Sequence, residues 1–341
     1  MPRLWVRSPA FDSVFLVGPP IFAALAVLAI PSLRSGDTPH WGWVVLVIGV
    51  DVAHVWSTLY RTYLDSEELE RRPELYSVVP VLCWATGALL YKAGGALWFW
   101  RVLAYLAVFH FVRQQYGFLR LYQRLEGLPS RLDDALDRAA LYGGMLYPLV
   151  YWHSTARPFA WFMAGDFVKL PPVLAAPAGL IYALVLIAWV LRQAWRSRSS
   201  KLSLGRLGVV SGTATAWWVG IVGCSSDLAF TLTNVVAHGV PYFGLVWLTS
   251  KKRPQWLLGF LALPLLLAWL EEGAWDLFIW REHAAAFFGL TAFPVPALGP
   301  ALTALLVPLL ALPQATHYVL DAWIWRMDGS NPGLKEALLS D

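Results

Sequence analysis

The chain has 341 residues, of which 58% are hydrophobic and 14% charged, and its mean hydropathy is +0.54. Soluble chains carry charges on about a quarter of their residues, so this composition excludes a cytosolic enzyme, a nucleic-acid-binding protein and a disordered scaffold. The net charge of +4 therefore bears on membrane topology. The two cysteines, Cys83 and Cys224, fit no disulfide framework or thiolate metal site, and we expect both to be inert thiols.

Apolar runs long enough to span a bilayer, about 20 residues each, recur along the whole chain. They predict an all-α, polytopic integral membrane bundle of about ten transmembrane helices that form a single domain, 1–341. The first run is interpreted as a retained helix, because it lacks a small-residue cleavage site. The predicted spans lie near residues 11–30, 41–64, 75–92, 96–117, 138–156, 173–193, 207–225, 227–249, 255–271 and 299–325.

The lysines and arginines concentrate in alternate loops, which sets the expected orientation. Because positive charge marks the cytoplasmic side, both termini are predicted to be cytoplasmic, in a multi-pass protein of the cell's inner (plasma) membrane. Two stretches, 157–172 and 271–300, are too polar or too rich in proline to span, and we expect interfacial or re-entrant segments there. The charges on the predicted cytoplasmic side are Arg3, Arg7, Arg61, Arg71, Arg72, Arg120, Arg124, Arg131, Arg138, Arg192, Arg196, Arg198, Lys201, Arg206, Lys251, Lys252, Arg253, Arg326 and Lys335.

Four of the seven histidines fall inside predicted spans, and an ionisable side chain there is a functional hypothesis by default. Each lies about eight to twelve residues from the cytoplasmic end of its helix, which places all four in one layer at a rise of about 1.5 Å per residue. Their helices run in the same direction, so the imidazoles can converge on one point. These four are His54, His110, His238 and His317. His40, His153 and His283 fall in or beside outer loops, where a histidine needs no chemical role.

Each of the four also has a polar residue one helical turn away, on the same helix face. Metal-binding histidines usually need such a partner to fix the ring and its tautomer. The partners are Asp51 for His54, Gln114 for His110, Asn234 for His238 and Asp321 for His317. The pattern predicts a shared metal site with four histidine ligands. Arg113 and Tyr242 share these faces and are candidate catalytic residues.

Donors that are all nitrogen, without thiolates, suit iron, copper, nickel or zinc. Ferrous iron held by histidines keeps coordination positions for dioxygen, and a site inside the lipid bilayer favours an apolar, membrane-soluble substrate. The sequence therefore predicts an Fe²⁺-dependent oxygenase, with zinc and haem open as cofactors.

Three histidine motifs resemble the Brp/Blh family: HGVPYFGLVW from His238, FHF around His110, and LPQATHYVLDAWIWR up to Arg326. Members of that family are polytopic β-carotene dioxygenases that cleave β-carotene centrally into two retinals. The resemblance implies an iron site and a carotenoid substrate. In this chain Asp51 precedes His54, whereas the family's acidic residue follows, and Tyr242 stands where the family has a further histidine. A relative that acts on another lipid stays open. By the resemblance, the iron ligands would be His54, His110, His238 and His317.

Two other classes of protein fit histidines within spans. Two histidines from facing helices can ligate a b-type haem, giving an electron-transfer protein. Intramembrane histidine and aspartate residues can also form the relay of a proton-coupled transporter. Oxygen consumption that depends on substrate would distinguish an oxygenase from both.

Overall fold

The computed structural model describes residues 4–127, 129–198, 202–251 and 253–339. All regular secondary structure in these ranges is helical, which confirms the predicted class. Three charges that contribute to the predicted topology, Arg3, Lys201 and Lys252, lie outside the described residues.

We number the helices in chain order. The first six are α1 Pro9–Leu16, α2 Gly18–Ala29, α3 His40–Arg61, α4 Ser66–Arg71, α5 Pro73–Glu126 and α6 Arg131–Ser154. The others are α7 Pro172–Arg196, α8 Leu204–Trp217, α9 Asp227–Thr249, α10 Leu257–Trp280, α11 Pro300–Leu310, α12 Leu312–Ile324 and α13 Leu334–Leu339. After α8 the chain continues as a π-helix over Trp218–Gly223.

Several helices are long and apolar enough to cross a membrane. Within the described residues five qualify alone, namely α3, α5, α7, α9 and α10. Two further pairs qualify only together and are bent, α1 with α2 by 57° and α11 with α12 by 43°, so up to seven spans result if each pair counts as one. Such helices are typical of an integral membrane protein. The ten spans and the cytoplasmic termini stay predictions.

The long helix α5 reverses direction at Gly95. This residue has φ 75° and ψ −175°, outside the helical region and open mainly to glycine. Residues 87 and 99 would lie about 18 Å apart on a straight helix. Instead, the Tyr91 and Phe99 rings are 5.8 Å apart, and a Cβ atom placed on Gly87 would lie 3.2 Å from the Phe99 ring. The chain therefore folds back between its arms, 73–94 and 96–126, where the sequence predicts the break between two spans.

The described chain forms two compact units that are interleaved in sequence, whereas the sequence analysis treats 1–341 as one domain. The first unit comprises Met1–Thr38, Val108–Gly244 and Glu336–Asp341. The second comprises Pro39–Ala107 and Leu245–Lys335.

Close packing in the first unit depends on small residues of α8. A Cβ atom on Gly208 would lie 2.1 Å from the Val17 side chain, and one on Gly212 would lie 3.0 Å from Pro20. Helices of membrane proteins use small residues in this way to bring their backbones together. The glycines thus fix how α2 lies on α8.

A buried ion pair connects four helical segments of the first unit. Arg206 of α8 donates to both carboxylate oxygens of Asp137 in α6, at 2.8 and 2.7 Å, and both side chains are buried. Trp189 of α7 and Gln123 of α5 donate to the same carboxylate, at 2.9 and 3.1 Å. A buried charge pair is tolerated only when its remaining polar atoms are also bonded, and here the carboxylate accepts from three side chains.

In the second unit, Arg61 caps the C-terminal ends of two other helices. Its guanidinium donates to the carbonyl oxygens of Thr249 at 3.0 Å and Ile324 at 3.3 Å, at the ends of α9 and α12. A cation at the end of a helix satisfies free carbonyl groups and stabilises the helix dipole. The preceding residue, Tyr60, stacks on Phe260 of α10 with ring centroids 5.0 Å apart.

The prediction for the stretch 271–300 is wrong at its start, because α10 continues to Trp280 instead of ending near residue 271. Its acidic residues have partners that allow this. Trp56 donates to Glu271 at 2.6 Å, and Asp276 accepts two backbone N–H groups at 2.7 Å each. Beyond Trp280 the chain forms turns and short 3₁₀ segments.

Candidate metal centre

One pair of histidines lies in the second unit. His54 of α3 and His317 of α12 are both 2% exposed, and their ring centroids are 5.1 Å apart at an interplanar angle of 80°. Helix α3 is π-helical over Trp43–Val52 and becomes α-helical at Ala53. π-helical turns are often found at functional sites, and this change of winding determines the helix face on which His54 emerges.

Hydrogen bonds orient both rings through their Nδ1 atoms. The Nδ1 atom of His54 lies 3.2 Å from the carbonyl oxygen of Val50. A carbonyl oxygen only accepts hydrogen bonds, so this Nδ1 carries the proton and Nε2 presents a lone pair. The Nδ1 atom of His317 lies 2.9 Å from Oγ1 of Thr58. If Nδ1 of His317 likewise carries the proton and donates to Thr58, Nε2 of both rings is available to a metal ion.

The other pair lies in the first unit. His110 of α5 and His238 of α9 are 6% and 1% exposed, and their ring centroids are 4.9 Å apart, again at 80°. His238 stacks on Phe111 with a centroid distance of 3.7 Å and an interplanar angle of 11°. This stacking holds the His238 imidazole flat against the neighbouring helix.

Pro241 organises the backbone beside His238. Proline has no N–H, so the carbonyl of Ala237, four residues earlier, loses its helical donor. The Gln115 amide supplies one at 3.0 Å. The Gln114 amide likewise donates to the carbonyl oxygen of His238, at 3.1 Å. Two glutamine side chains thus support the helical turn that carries this histidine.

The four histidines together form one buried group, which we call the four-histidine group. Each ring offers one nitrogen, and these nitrogens all lie within 4.8 Å of one another. The group, composed of His54, His110, His238 and His317, can therefore hold a metal ion.

The polar residues predicted to support these rings take different positions. Asp51 Oδ1 lies 3.9 Å from Nδ1 of His54, and Asp321 Oδ1 lies 3.7 Å from Nδ1 of His317. Both are farther away than the Val50 and Thr58 oxygens. Gln114 bonds to the His238 backbone, on the other helix of the pair.

Asn234 also has local partners. It donates to the carbonyl oxygen of Phe230 at 3.1 Å and to Oγ1 of Thr233 at 3.2 Å. Sequence reasoning missed Thr58, although Thr58 follows His54 by four residues and so shares its face. It also missed Gln115. Pro241 could have indicated it, because a proline within a helix leaves the carbonyl four residues earlier in need of another donor.

The two predicted catalytic residues differ in their surroundings. Arg113 is exposed, and its guanidinium contacts the hydroxyl of Tyr142 at 3.3 Å and the ring of Tyr116 at 5.0 Å. Its catalytic role stays a prediction. Tyr242 is 1% exposed and follows His238 by one helical turn, and its catalytic role stays a prediction.

The other three histidines lie outside the four-histidine group. His153 Nδ1 is bonded to the Leu149 carbonyl oxygen at 2.6 Å. His283 stacks on Trp43 at 3.8 Å and lies 6.3 Å from the His40 ring.

A cavity of about 190 Å³ lies in the second unit and reaches His317. Its walls come from α3 and the turn that follows it, the 73–94 arm of α5, and α12, and they are almost entirely apolar. Thr58, which bonds to His317, lies on the same wall. The second unit thus places an apolar space directly beside one of the four imidazoles.

Fold and site together define a helical protein of membrane type with a buried group of four histidines able to hold a metal ion. Comparisons with protein-family models, curated proteins and solved structures find no match for this chain. The resemblance of its histidine motifs to the Brp/Blh family therefore stays a prediction.

Proposed function

We propose that the protein is an iron-dependent oxygenase of the inner (plasma) membrane that oxidatively cleaves an apolar substrate, a polyene such as β-carotene. The observation that supports this proposal best is the four-histidine group, whose nitrogens lie within 4.8 Å of one another in a buried setting. Isolated structural histidines have no physical reason to converge from four helices. Imidazole is a preferred ligand of iron, and thiolates are not among the donors.

Neighbouring residues orient three of the imidazoles for metal binding. Val50 fixes the proton on Nδ1 of His54, and Thr58 orients the ring of His317. Phe111 keeps the His238 ring in place. The four imidazoles would hold the iron, and the bound iron would supply the activation of dioxygen. The apolar cavity at His317 favours a hydrocarbon-like substrate and excludes bulk water.

A b-type haem fits this arrangement less well. Two imidazoles on opposite faces of one iron have ring centres about 6 Å apart, because each metal–nitrogen bond is about 2.0 Å long. The pairs here are closer, at 4.9 and 5.1 Å.

A proton-coupled carrier is the second candidate, and one observation favours it. The two bent helix pairs, at 57° and 43°, resemble the interrupted helices that transporters use at their binding sites. A proton relay, however, distributes its polar groups along a path, whereas these four imidazoles have nitrogens within 4.8 Å of one another. The oxygenase requires dioxygen and the carrier does not, so a test for dioxygen consumption distinguishes them.

The test is elemental analysis, absorption spectroscopy and oxygen uptake on the detergent-purified protein. We expect about one iron per chain, no Soret band, and oxygen uptake that depends on an added polyene such as β-carotene. Replacing any one of His54, His110, His238 and His317 by Ala should abolish iron retention and oxygen uptake. His153→Ala is the matched control and should change neither, because His153 lies outside the four-histidine group.

Each other outcome contradicts the proposal in a defined way. A Soret band assigns the histidines to haem. A protein that takes up no iron after ferrous reconstitution, yet acidifies vesicles when substrate is added, is a carrier. Iron retained in full by the alanine variants removes those residues from the metal site.

A further inference from the structure

The cavity in the second unit is small, and its lining is almost entirely apolar. Its volume of about 190 Å³ is below the roughly 300–1,000 Å³ of pockets that enclose a drug-sized ligand. An engineered apolar cavity of about 150 Å³ binds benzene or xenon. The apolar lining accepts hydrocarbons and gases, and the volume restricts the occupant to a small molecule. A long polyene therefore cannot lie inside this cavity.

The cavity lies directly beside the four-histidine group. His317 is part of its lining, and so is Val55, the residue that follows His54. The rings of His54 and His317 have centroids 5.1 Å apart. A molecule that touches His317 from the cavity is therefore one imidazole ring away from any ion that this ring binds.

The opposite end of the cavity lies at the lipid-facing surface. Half-buried lining residues reach that surface, and they come from every wall: Trp56, Leu59, Tyr63, Pro80, Leu312 and Pro313. Close to them in the chain, Val81 is 61% exposed and Leu309 is 50% exposed. Large apolar side chains exposed on membrane-spanning helices contact acyl chains, since water is absent at that depth. A molecule that enters this cavity therefore comes from the bilayer.

Dioxygen has the properties that this cavity selects. It is small, has no permanent dipole and dissolves better in hydrocarbon than in water, so the bilayer concentrates it. We propose that the cavity takes up dioxygen from the bilayer and delivers it to His317. The inference rests on the proposed function only in that the delivered dioxygen is consumed at the metal site, because the binding of a small apolar gas needs no metal.

Xenon tests the binding step, because it is apolar, comparable in size to dioxygen and not consumed. Methyl NMR spectra of detergent-purified, chelator-treated protein, labelled at leucine and valine, are recorded at increasing xenon pressure. We expect the methyl signals of Leu320 and Val55, both buried in the cavity lining, to shift and then reach a plateau as the cavity fills. The methyl signals of Leu309, which faces the detergent, should shift in proportion to pressure, because xenon only partitions into the micelle.

Matched variants assign the xenon response to the cavity. Leu312→Trp and Leu59→Trp each place a large ring at its half-buried end, where added volume is less disruptive than in a closely packed core. Both should abolish the plateau in the Leu320 signal. Leu309→Trp is the control, because it makes the same substitution at an exposed position outside the lining, and it should leave the plateau intact. Melting temperatures of all variants verify that they fold.

Oxygen uptake by the iron-loaded protein tests the delivery step. Leu312→Trp and Leu59→Trp should raise the KM for dioxygen several-fold while kcat and the KM for the polyene change little, because only the access of dioxygen is obstructed. Leu309→Trp should leave all three constants unchanged.

The outcomes separate this inference from the proposed function. A Leu320 signal without a plateau, a plateau that survives both filling variants, or an unchanged KM for dioxygen in variants that no longer bind xenon overturns the inference. Magnetisation transfer from acyl-chain protons to the Leu320 methyls, in place of a xenon response, would assign the cavity to a lipid chain. Saturable xenon binding in a protein that retains no iron and consumes no oxygen supports the cavity as a gas site and refutes the oxygenase. Iron retention and polyene-dependent oxygen uptake without saturable xenon binding have the opposite meaning.

Discussion

At the scale of single residues, two rings of the four-histidine group are each oriented by a hydrogen bond to one neighbouring oxygen. Thr58 and the Val50 carbonyl do this for His317 and His54, at 2.9 and 3.2 Å. Such partners fix the tautomer and the ring orientation, and removing one typically weakens metal binding by about 10- to 100-fold.

Thr58→Val tests this contact. The substitution keeps the side-chain volume but removes the oxygen that bonds to Nδ1 of His317, so we expect at least roughly tenfold weaker metal retention. The measurement is the metal content after dialysis against graded chelator concentrations. Thr58→Ser should retain metal like the unchanged protein, and equal retention in Thr58→Val would show that Thr58 does not position His317.

A second residue-scale prediction concerns Gln115 and Pro241. Gln115→Leu leaves the Ala237 carbonyl without its donor, and we expect a loss of about 1–3 kcal/mol in unfolding free energy. Pro241→Ala restores a backbone N–H at the position that normally bonds to this carbonyl. In the Pro241→Ala background the cost of Gln115→Leu should therefore be smaller. A thermal-denaturation cycle of the four proteins measures this, and strictly additive effects would contradict the assignment.

At the scale of helices, ion pairs between α6 and α7 stabilise the first unit. Arg192 donates to Asp133 at 2.7 Å, and the Asp133 side chain is 6% exposed. This hydrogen bond from Arg192 lowers the pKa of Asp133 below its usual value of 3.8. A lowered carboxyl pKa stabilises the folded state above the ordinary pKa, and that contribution is lost as the pH falls through the folded-state pKa.

Asp133→Asn should accordingly lower the melting temperature at pH 7, by the equivalent of about 1–2 kcal/mol for a partly buried charged hydrogen bond. The gap between the variant and the unchanged protein should narrow as the pH falls below 3.8 and through the lower pKa of Asp133 in the folded protein. Melting curves between pH 7 and pH 3 provide the comparison. Asp328→Asn is a control at an exposed carboxyl, and it should have little effect on the melting temperature at either pH.

Sequence alone could predict the helices and the histidines but not the contacts between them. Periodicity and depth counting identify His54, His110, His238 and His317, because these quantities depend only on position along each helix. Which atom supports a ring depends on the adjacent helix, and no spacing within one helix encodes that. Gln114, predicted as a partner of His110, bonds to the backbone of His238 for this reason.

Other differences between the predicted and the observed helices come from local backbone geometry and from hydrogen bonds to acidic side chains. The π-helical stretch Trp43–Val52 winds differently from the α-helix assumed in counting residues. The end of α10 was misplaced because hydropathy penalises Glu271 and Asp276, although both carboxylates have hydrogen-bond donors in the folded chain. Polarity summed over a window cannot register such partners.

At the scale of the whole molecule, a bound metal would connect four helices that are distant in sequence, α3, α5, α9 and α12. An ion that binds only the folded state adds to its stability in proportion to the logarithm of its concentration over its dissociation constant. We therefore expect a chelator to lower the melting temperature of the purified protein and added ferrous iron to restore it. His317→Ala should melt at one temperature with or without chelator. If neither the chelator nor ferrous iron changes the melting temperature of the unchanged protein, the result would argue against the metal site.

Gly95 also bears on how the chain is made. The arms of α5 meet at this residue with no connecting loop, and we expect them to insert into the membrane together, as a helical hairpin. We expect Gly95→Val, which disfavours φ 75°, to lower the fraction of newly made protein integrated into membranes. A pulse-labelled membrane fraction measures this, and unchanged integration would show that the arms insert independently. Reduced integration of this variant would make glycine at position 95 a requirement of biosynthesis as well as of the reversal within α5.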